Sequence, residues 1–307
     1  MPGFDPTTLP EFSIDPAEVQ GEVHPQRVQQ HYSTELLRYQ DGWDVRLFPL
    51  SFEQKLEASK LYGESCHGIA SSQETGKNSL GVPIRTAKMT VKEMIEAVAD
   101  MVTYYLEQDK FPVTIGGEHS VTIGALRAFA RQYENLSVLQ LDAHADLRDE
   151  YEGSKYNHAC VMARARELCP IVQVGIRSMD ATEKESLDTS RVFFARDIVQ
   201  GPGWAEKVVE KLSGQVYVTI DLDVFDPAVC PGVGTPEPGG LDWYQVTGLL
   251  RAVAENSQII GADIVECIPQ FNPPQSEFLA ARLAVKLIAY RFHGLPAAGP
   301  GGKREES

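Results

Sequence analysis

The chain has 307 residues, 43% of them hydrophobic and 23% charged, an ordinary balance for a soluble globular protein long enough to bury a substantial core. Its net charge of −15 argues against nucleic acid or anionic membranes as partners and suits a cationic small-molecule substrate, although most of an acidic surface serves solubility. No apolar run reaches the length of a membrane span, no basic start precedes an apolar core, and the five cysteines (Cys66, Cys160, Cys169, Cys230, Cys267) form no C-x-x-C pair, so we expect a cytoplasmic protein with reduced thiols.

Residues 1–30 read as an irregular N-terminal arm, because Pro2, Pro6, Pro10, Pro16 and Pro25 interrupt any regular element. From about residue 90, helical and strand-like patterns alternate. Val91, Met94, Ile95, Val98, Met101, Val102 and Tyr105 recur at helical spacing and predict an amphipathic helix. A strand at Pro112–Ile115 and a helix from about Thr122 to Tyr133 follow. Further strands are predicted at Val138–Leu141, Ile171–Val174, Val192–Ala195, Val216–Ile220 and Ile259–Val265. Helices are predicted at Ala159–Leu168, Ala205–Leu212, Trp243–Ala254 and Glu277–Tyr290. This rhythm predicts an α/β fold with a mostly parallel sheet covered on both faces. Residues 294–307, rich in Gly, Pro and charge, read as a disordered tail.

Three strand ends carry groups of metal-ligand type. Gly116-Gly117-Glu118-His119-Ser120 follows the first strand, Asp142-Ala143-His144-Ala145-Asp146 the second, and Asp221-Leu222-Asp223 a third. In parallel sheets ligands bind outside the carboxyl ends of strands, so His119, Asp142, His144, Asp146, Asp221 and Asp223 are expected to meet. Alternation along an extended segment would put Asp142, His144 and Asp146 on one side. Two imidazoles and four carboxylates suit a pair of divalent ions such as Mn²⁺ better than one zinc. One D-x-D or H-x-D is commonly a helix cap or a solvated turn; three such clusters at successive strand ends are harder to explain that way.

The stretches GGEHSVTIG (116–124), LDAHADLRDEYEGSKYNHAC (141–160), TIDLDVFDPAVCPGVGTPEPGGL (219–241) and ADIVECIP (262–269) resemble the ureohydrolase family of arginases and agmatinases, over roughly residues 88–292. The resemblance implies a three-layer α-β-α sandwich and a single catalytic domain over residues 31–293. It also implies two Mn²⁺ per subunit, with Ni²⁺ or Co²⁺ as substitutes, whose hydroxide attacks the guanidinium carbon and releases urea. Asp142 and Asp221 then match the bridging carboxylates, His119 and Asp146 the other ligands of one ion, and His144 and Asp223 those of the second. Glu266 matches the carboxylate that holds the guanidinium, and His158 the histidine that shuttles protons to the leaving amine. The family also implies a homo-oligomer, as a trimer or hexamer.

The segment after Asp146 looks like that of agmatinases, whose substrate lacks the α-carboxylate of arginine, so agmatine is the expected substrate, giving putrescine and urea. Asp149, Glu150 or Glu152 would meet its distal ammonium, whereas an inward Arg148 would suit an acid-tailed guanidine such as 4-guanidinobutyrate. The loop Gly232–Gly240 is expected to form a wall of the site. Residues 31–87 diverge from the agmatinase pattern, with only Lys55-Leu56-Glu57-Ala58-Ser59 faintly similar to it. Alternatives are hydrolysis of 4-guanidinobutyrate, 3-guanidinopropionate or guanidine itself, a single-zinc deacetylase, and a non-catalytic protein binding polyamines or guanidines.

Overall fold

The strands β1 (Asp44–Leu47), β2 (Val82–Arg85), β3 (Val113–Ile115), β4 (Leu136–Leu141), β5 (Ile171–Ile176), β6 (Val192–Phe194), β7 (Gln215–Asp221) and β8 (Gln258–Val265) join in one sheet of order β2-β1-β3-β8-β7-β4-β5-β6. This computed structural model of the chain describes residues 44–47, 82–85, 89–268 and 274–292. The expected arm (1–30), most of the divergent segment (31–87) and the expected tail (294–307) lie outside the described residues. From β3 to β6 every pairing is parallel, while β1 runs antiparallel to both β2 and β3.

Parallel neighbours need crossovers, and these place helices on both faces. One face carries α1 (Val91–Leu106), α2 (Val121–Gln132) and α3 (Val161–Ala165). The other carries α4 (Ala195–Gln200), α5 (Trp204–Val209), α6 (Trp243–Asn256) and α7 (Gln275–Phe292). Strand residues alternate between the two cores: Val216, Val218 and Ile220 of β7 pack toward α4–α7, and Tyr217 between them packs toward α1–α3. The result is the expected α-β-α sandwich. Among the described residues, no helix is long and apolar enough to cross a membrane.

Local chemistry sets the helix starts. Thr90 accepts the Glu93 amide while the Glu93 carboxylate reaches back to the Thr90 amide, and Asp242 and Gln245 do the same at α6. At Gly124 a Cβ would lie 2.5 Å from the Ile95 carbonyl, so only glycine lets α2 sit this close to α1.

The predicted elements are present with ends moved by a few residues, apart from Ala159–Leu168. There Asn157 accepts the Ala159 amide and starts a one-turn 3-10 helix at His158–Cys160, and α3 covers only Val161–Ala165. The short α4 was not predicted.

Candidate metal centre and substrate-binding residues

The carboxyl ends of β3, β4, β7 and β8 deliver all eight singled-out residues to one edge of the sheet. Asp142 follows β4, Asp221 ends β7, Glu266 follows β8, and His119 stands in the turn between β3 and α2. Asp142, Asp146, Asp221, Asp223 and His119 are buried, and the His144 side chain is 26% exposed.

Two ligand sets emerge, one of His119, Asp142 and Asp146, the other of Asp142, His144 and Asp223. Within each set one candidate ligand atom per residue lies within 4.8 Å of the others. Asp142 belongs to both. His119 Nδ1 faces three carboxylate oxygens: Asp146 Oδ2 at 3.0 Å, Asp142 Oδ2 at 3.3 Å and Asp221 Oδ2 at 3.4 Å. His144 Nδ1 lies 2.9 Å from Asp223 Oδ2 and 3.6 Å from Asp142 Oδ1. Asp221 offers one oxygen to the His119 set, while its Oδ1 accepts the Asp223 amide at 2.9 Å.

The segment 142–146 is not the extended strand that alternation suggested. The chain turns after Asp142, whose Oδ1 accepts the His144 amide at 2.6 Å, and Asp146 adopts φ +53°. A left-handed backbone is uncommon for a non-glycine residue, and Glu266 shares it at φ +62°. Two of the residues singled out for chemistry are therefore held in strained conformations. Gly175 (φ +94°) packs against the turn; a Cβ there would lie 3.0 Å from the Asp142 carbonyl oxygen.

These residues fit a bound cation on a structural observation. His119 Nε2 lies 2.9 Å from the Thr219 hydroxyl, while its Nδ1 is buried without a hydrogen bond. A buried ring nitrogen aimed at several carboxylate oxygens needs a proton or a cation between them. The electrostatics of the cluster agree. Burial pushes Asp146 up to about 7, helped by the Asp142 charge, and burial with the Asp223 and Asp142 charges raises Asp221 well above the usual carboxylate range. Burial also opposes charge on Asp142, but His119 and His144 outweigh it and hold this carboxyl low. The cluster carries more negative charge than its own imidazoles can balance, the condition under which a divalent ion binds.

Glu266 lies beside this cluster. Its Oε1 accepts the His119 amide at 2.7 Å, and its Oε2 faces Gly234, where the missing side chain leaves space. Burial raises its carboxyl to about 7, opposed by the His119 amide and reinforced by the Glu118 charge. His158 sits nearer solvent with Nδ1 3.3 Å from Glu118 Oε1, a contact that raises its pKa. Glu118, itself fixed by the Ser120 hydroxyl, was missed as a site residue. Its place in GGEHS next to His119 was the available signal.

The loop after Asp146 is pinned. Asp149 pairs with Lys155 at 2.9 Å and Arg164 at 2.7 Å, so it is a structural anchor rather than a free anion. Arg148 lies 3.5 Å from Asp180 and stacks 4.5 Å above the Tyr151 ring, whose edge meets His158. The Gly232–Gly240 loop forms the expected wall, with the Thr235 hydroxyl 3.2 Å from Asp223 Oδ2.

Residues 34–289 match the profile of the arginase family. The chain is 43% identical over 202 residues to an N(1)-aminopropylagmatine ureohydrolase of Synechocystis, covering 64% of this chain and 66% of that protein. It thus spans just under two thirds of that curated relative's length. An agmatinase of Halalkalibacterium halodurans is 37% identical over 199 residues, covering 63% of this chain and 67% of its own. Among solved structures, the agmatine ureohydrolase of Thermoplasma volcanium superposes with a TM-score of 0.59 at 38% identity, covering 66% of this chain and 69% of that one.

Proposed function

Because the chain belongs to the arginase family, we propose that it hydrolyses a linear, amine-tailed guanidino compound to urea and an amine. Agmatine, giving putrescine and urea, is the first candidate, and N(1)-aminopropylagmatine, named for one of its relatives, the second. The observation that carries the reading is the pair of ligand sets sharing Asp142, with Glu266 tied to the His119 amide beside them.

In this reading His119, Asp142, Asp146 and Asp221 hold one ion and Asp142, His144, Asp221 and Asp223 the other, with Mn²⁺ as the physiological metal and Ni²⁺ or Co²⁺ as substitutes. When bound, such a pair supplies Lewis-acid activation of water at neutral pH. Glu266 accepts paired N–H groups of the planar guanidinium and fixes its carbon toward the cluster. Its buried position strengthens that charge-assisted contact and favours a cationic partner over water. His158 has Nδ1 turned to Glu118, leaving Nε2 to protonate the departing amine nitrogen as the carbon–nitrogen bond breaks.

The amine tail is favoured over an acid tail by one specific arrangement. Arg148, the cation that would greet a carboxylate, is taken up by Asp180 and Tyr151. Assembly as a trimer or hexamer in the cytoplasm completes the reading.

The test is urea release by the Mn²⁺-loaded protein from agmatine, N(1)-aminopropylagmatine, arginine, 4-guanidinobutyrate, 3-guanidinopropionate and guanidine. Preference for an amine-tailed substrate is expected. Preference for an acid-tailed one would overturn the tail assignment, and no urea from any of them, with Ni²⁺ and Co²⁺ also tried, would overturn the hydrolase reading.

A further inference from the structure

One level beneath the carboxylate cluster, a row of polar side chains crosses the sheet. The strand register aligns Thr114 of β3 with Asp263 of β8, Asp263 with Thr219 of β7, Thr219 with Gln140 of β4, and Gln140 with Gln173 of β5. None of the five is more than 2% exposed. Central parallel strands buried on both faces ordinarily read as unbroken apolar runs, because a buried polar group is costly unless paired. Five polar residues in one row, between flanking Val, Ile, Leu and Ala, therefore call for a reason beyond packing.

Two of them touch the cluster. Thr219 Oγ1 lies 2.9 Å from His119 Nε2, and Gln140 Nε2 donates to Asp142 Oδ2 at 2.7 Å and to the His144 carbonyl at 3.2 Å. The others fix their orientation. Gln173 Nε2 donates to the Ala145 carbonyl at 2.7 Å and to Gln140 Oε1 at 2.6 Å. A carbonyl only accepts, so this chain leaves the Gln140 amide one way to turn, with its N–H toward Asp142. Asp263, level with Thr219 in the register, is buried with Oδ2 taking the Tyr217 hydroxyl at 2.7 Å. The Thr219 hydroxyl oxygen can accept from His119 Nε2, which holds the ring with Nδ1 facing the carboxylates.

We propose that Thr219 and Gln140 are positioning residues for the metal pair: Thr219 sets the aim of His119 at one ion, and Gln140, locked by Gln173, sets the aim of the shared carboxylate Asp142. The inference rests on the metal-centre reading above. Outer partners of this kind orient metal ligands, and losing one costs about 10- to 100-fold in metal affinity.

The experiment is calorimetric titration of the metal-stripped full chain with Mn²⁺ alone, with thermal unfolding of each metal-free variant alongside. In Thr219→Val one of the two binding events should weaken by about 10- to 100-fold and the other stay unchanged, whereas Thr219→Ser should restore both. Gln140→Leu should weaken both events, because Asp142 serves both ions. Thr219→Ala reads the same contrast should Thr219→Val not fold. If the variants lower the unfolding temperature but bind Mn²⁺ like the parent, the row is structural and the inference is overturned. Asp142→Ala separates the two failures: if it binds two Mn²⁺ as tightly as the parent, the metal-centre reading itself falls, and the inference with it.

Discussion

The His119 amide donates to Glu266 Oε1 at 2.7 Å while the Glu266 amide donates to the Gly117 carbonyl at 2.7 Å, a two-way tie between the turn after β3 and the end of β8. The two bonds hold Glu266 in its left-handed backbone conformation (φ +62°), beside His119. It also divides the labour within one carboxylate: Oε1 is held by the protein and Oε2 remains for a ligand. Glu266→Gln keeps an oxygen for the His119 amide but removes the charge. A guanidinium inhibitor should lose about 1.5–3 kcal/mol of binding, the usual worth of a hydrogen bond to a charged group. Bound Mn²⁺ should be unchanged. Inhibitor affinity by calorimetry and metal content by atomic absorption check the two halves, and loss of metal would contradict the separation.

Metal uptake should release protons. In the metal-free protein burial opposes charge on His144, but Asp142 and Asp223 outweigh it and raise the imidazole to about 11. His119 is raised well above its ordinary value by Asp142, Asp146 and Asp221 against the same opposition from burial. Both shifts favour protonated rings at neutral pH, and burial favours a proton on Asp146, raised to about 7. Ligation needs neutral imidazoles and ionised carboxylates, so Mn²⁺ affinity should rise with pH. The binding enthalpy at pH 7 should change with the ionisation enthalpy of the buffer. The stability sign follows: a raised histidine pKa stabilises the metal-free fold fully below pH 6.5, and that contribution fades as pH climbs toward about 11 for His144. Unfolding temperatures with and without Mn²⁺ should accordingly diverge as pH increases.

Glu118 gives His158 its proton-holding character. The carboxylate is 3.3 Å from Nδ1 and is the first cause of the raised imidazole pKa, which burial opposes. Glu118→Gln should move the His158 titration downward, visible as a shift of its ring resonances in an NMR pH series, and turnover near neutral pH should fall as the protonated fraction falls. His158→Ala should cut turnover and leave Mn²⁺ content intact. Glu118→Gln with an unmoved His158 titration would mean that the pair is incidental.

The strand-end cluster was legible because a carboxylate or imidazole after an apolar run is conspicuous, and groups at the carboxyl ends of neighbouring parallel strands come together. What surrounds them was not. Thr219, Gln140 and Asp263 sit inside strands, where a lone polar residue looks like ordinary alternation, and only the register shows that they share one row. Asp149 invited a substrate role by its charge, but its partner Arg164 lies on α3, a contact no local pattern reveals. The helix expected over Ala159–Leu168 opens instead as a 3-10 turn, because the Asn157 side chain takes the Ala159 amide at the point where His158 is presented. Short α4, of six residues, carries too few turns to show a period.

Arg177 was equally silent in the sequence and has a measurable consequence. Its guanidinium spends its donors on backbone carbonyls: Asp223 at 2.6 Å, Glu237 at 2.7 Å, and those of Gly175, Val224, Phe225 and Pro238 at 3.2–3.3 Å. It thereby binds the exit of β5 and the turn after β7 to the Gly232–Gly240 loop, whose Thr235 contacts Asp223. No other side chain offers so many donors in a planar fork, so Arg177→Lys keeps the charge and abandons most of the carbonyls. The loss should be about 1–3 kcal/mol in urea unfolding, the cost of carbonyls left without partners. Because the clamp holds the loop rather than the core, limited proteolysis should cut Arg177→Lys within residues 232–240 before global unfolding. Equal stability and no cleavage there would show that the loop holds its place without the clamp.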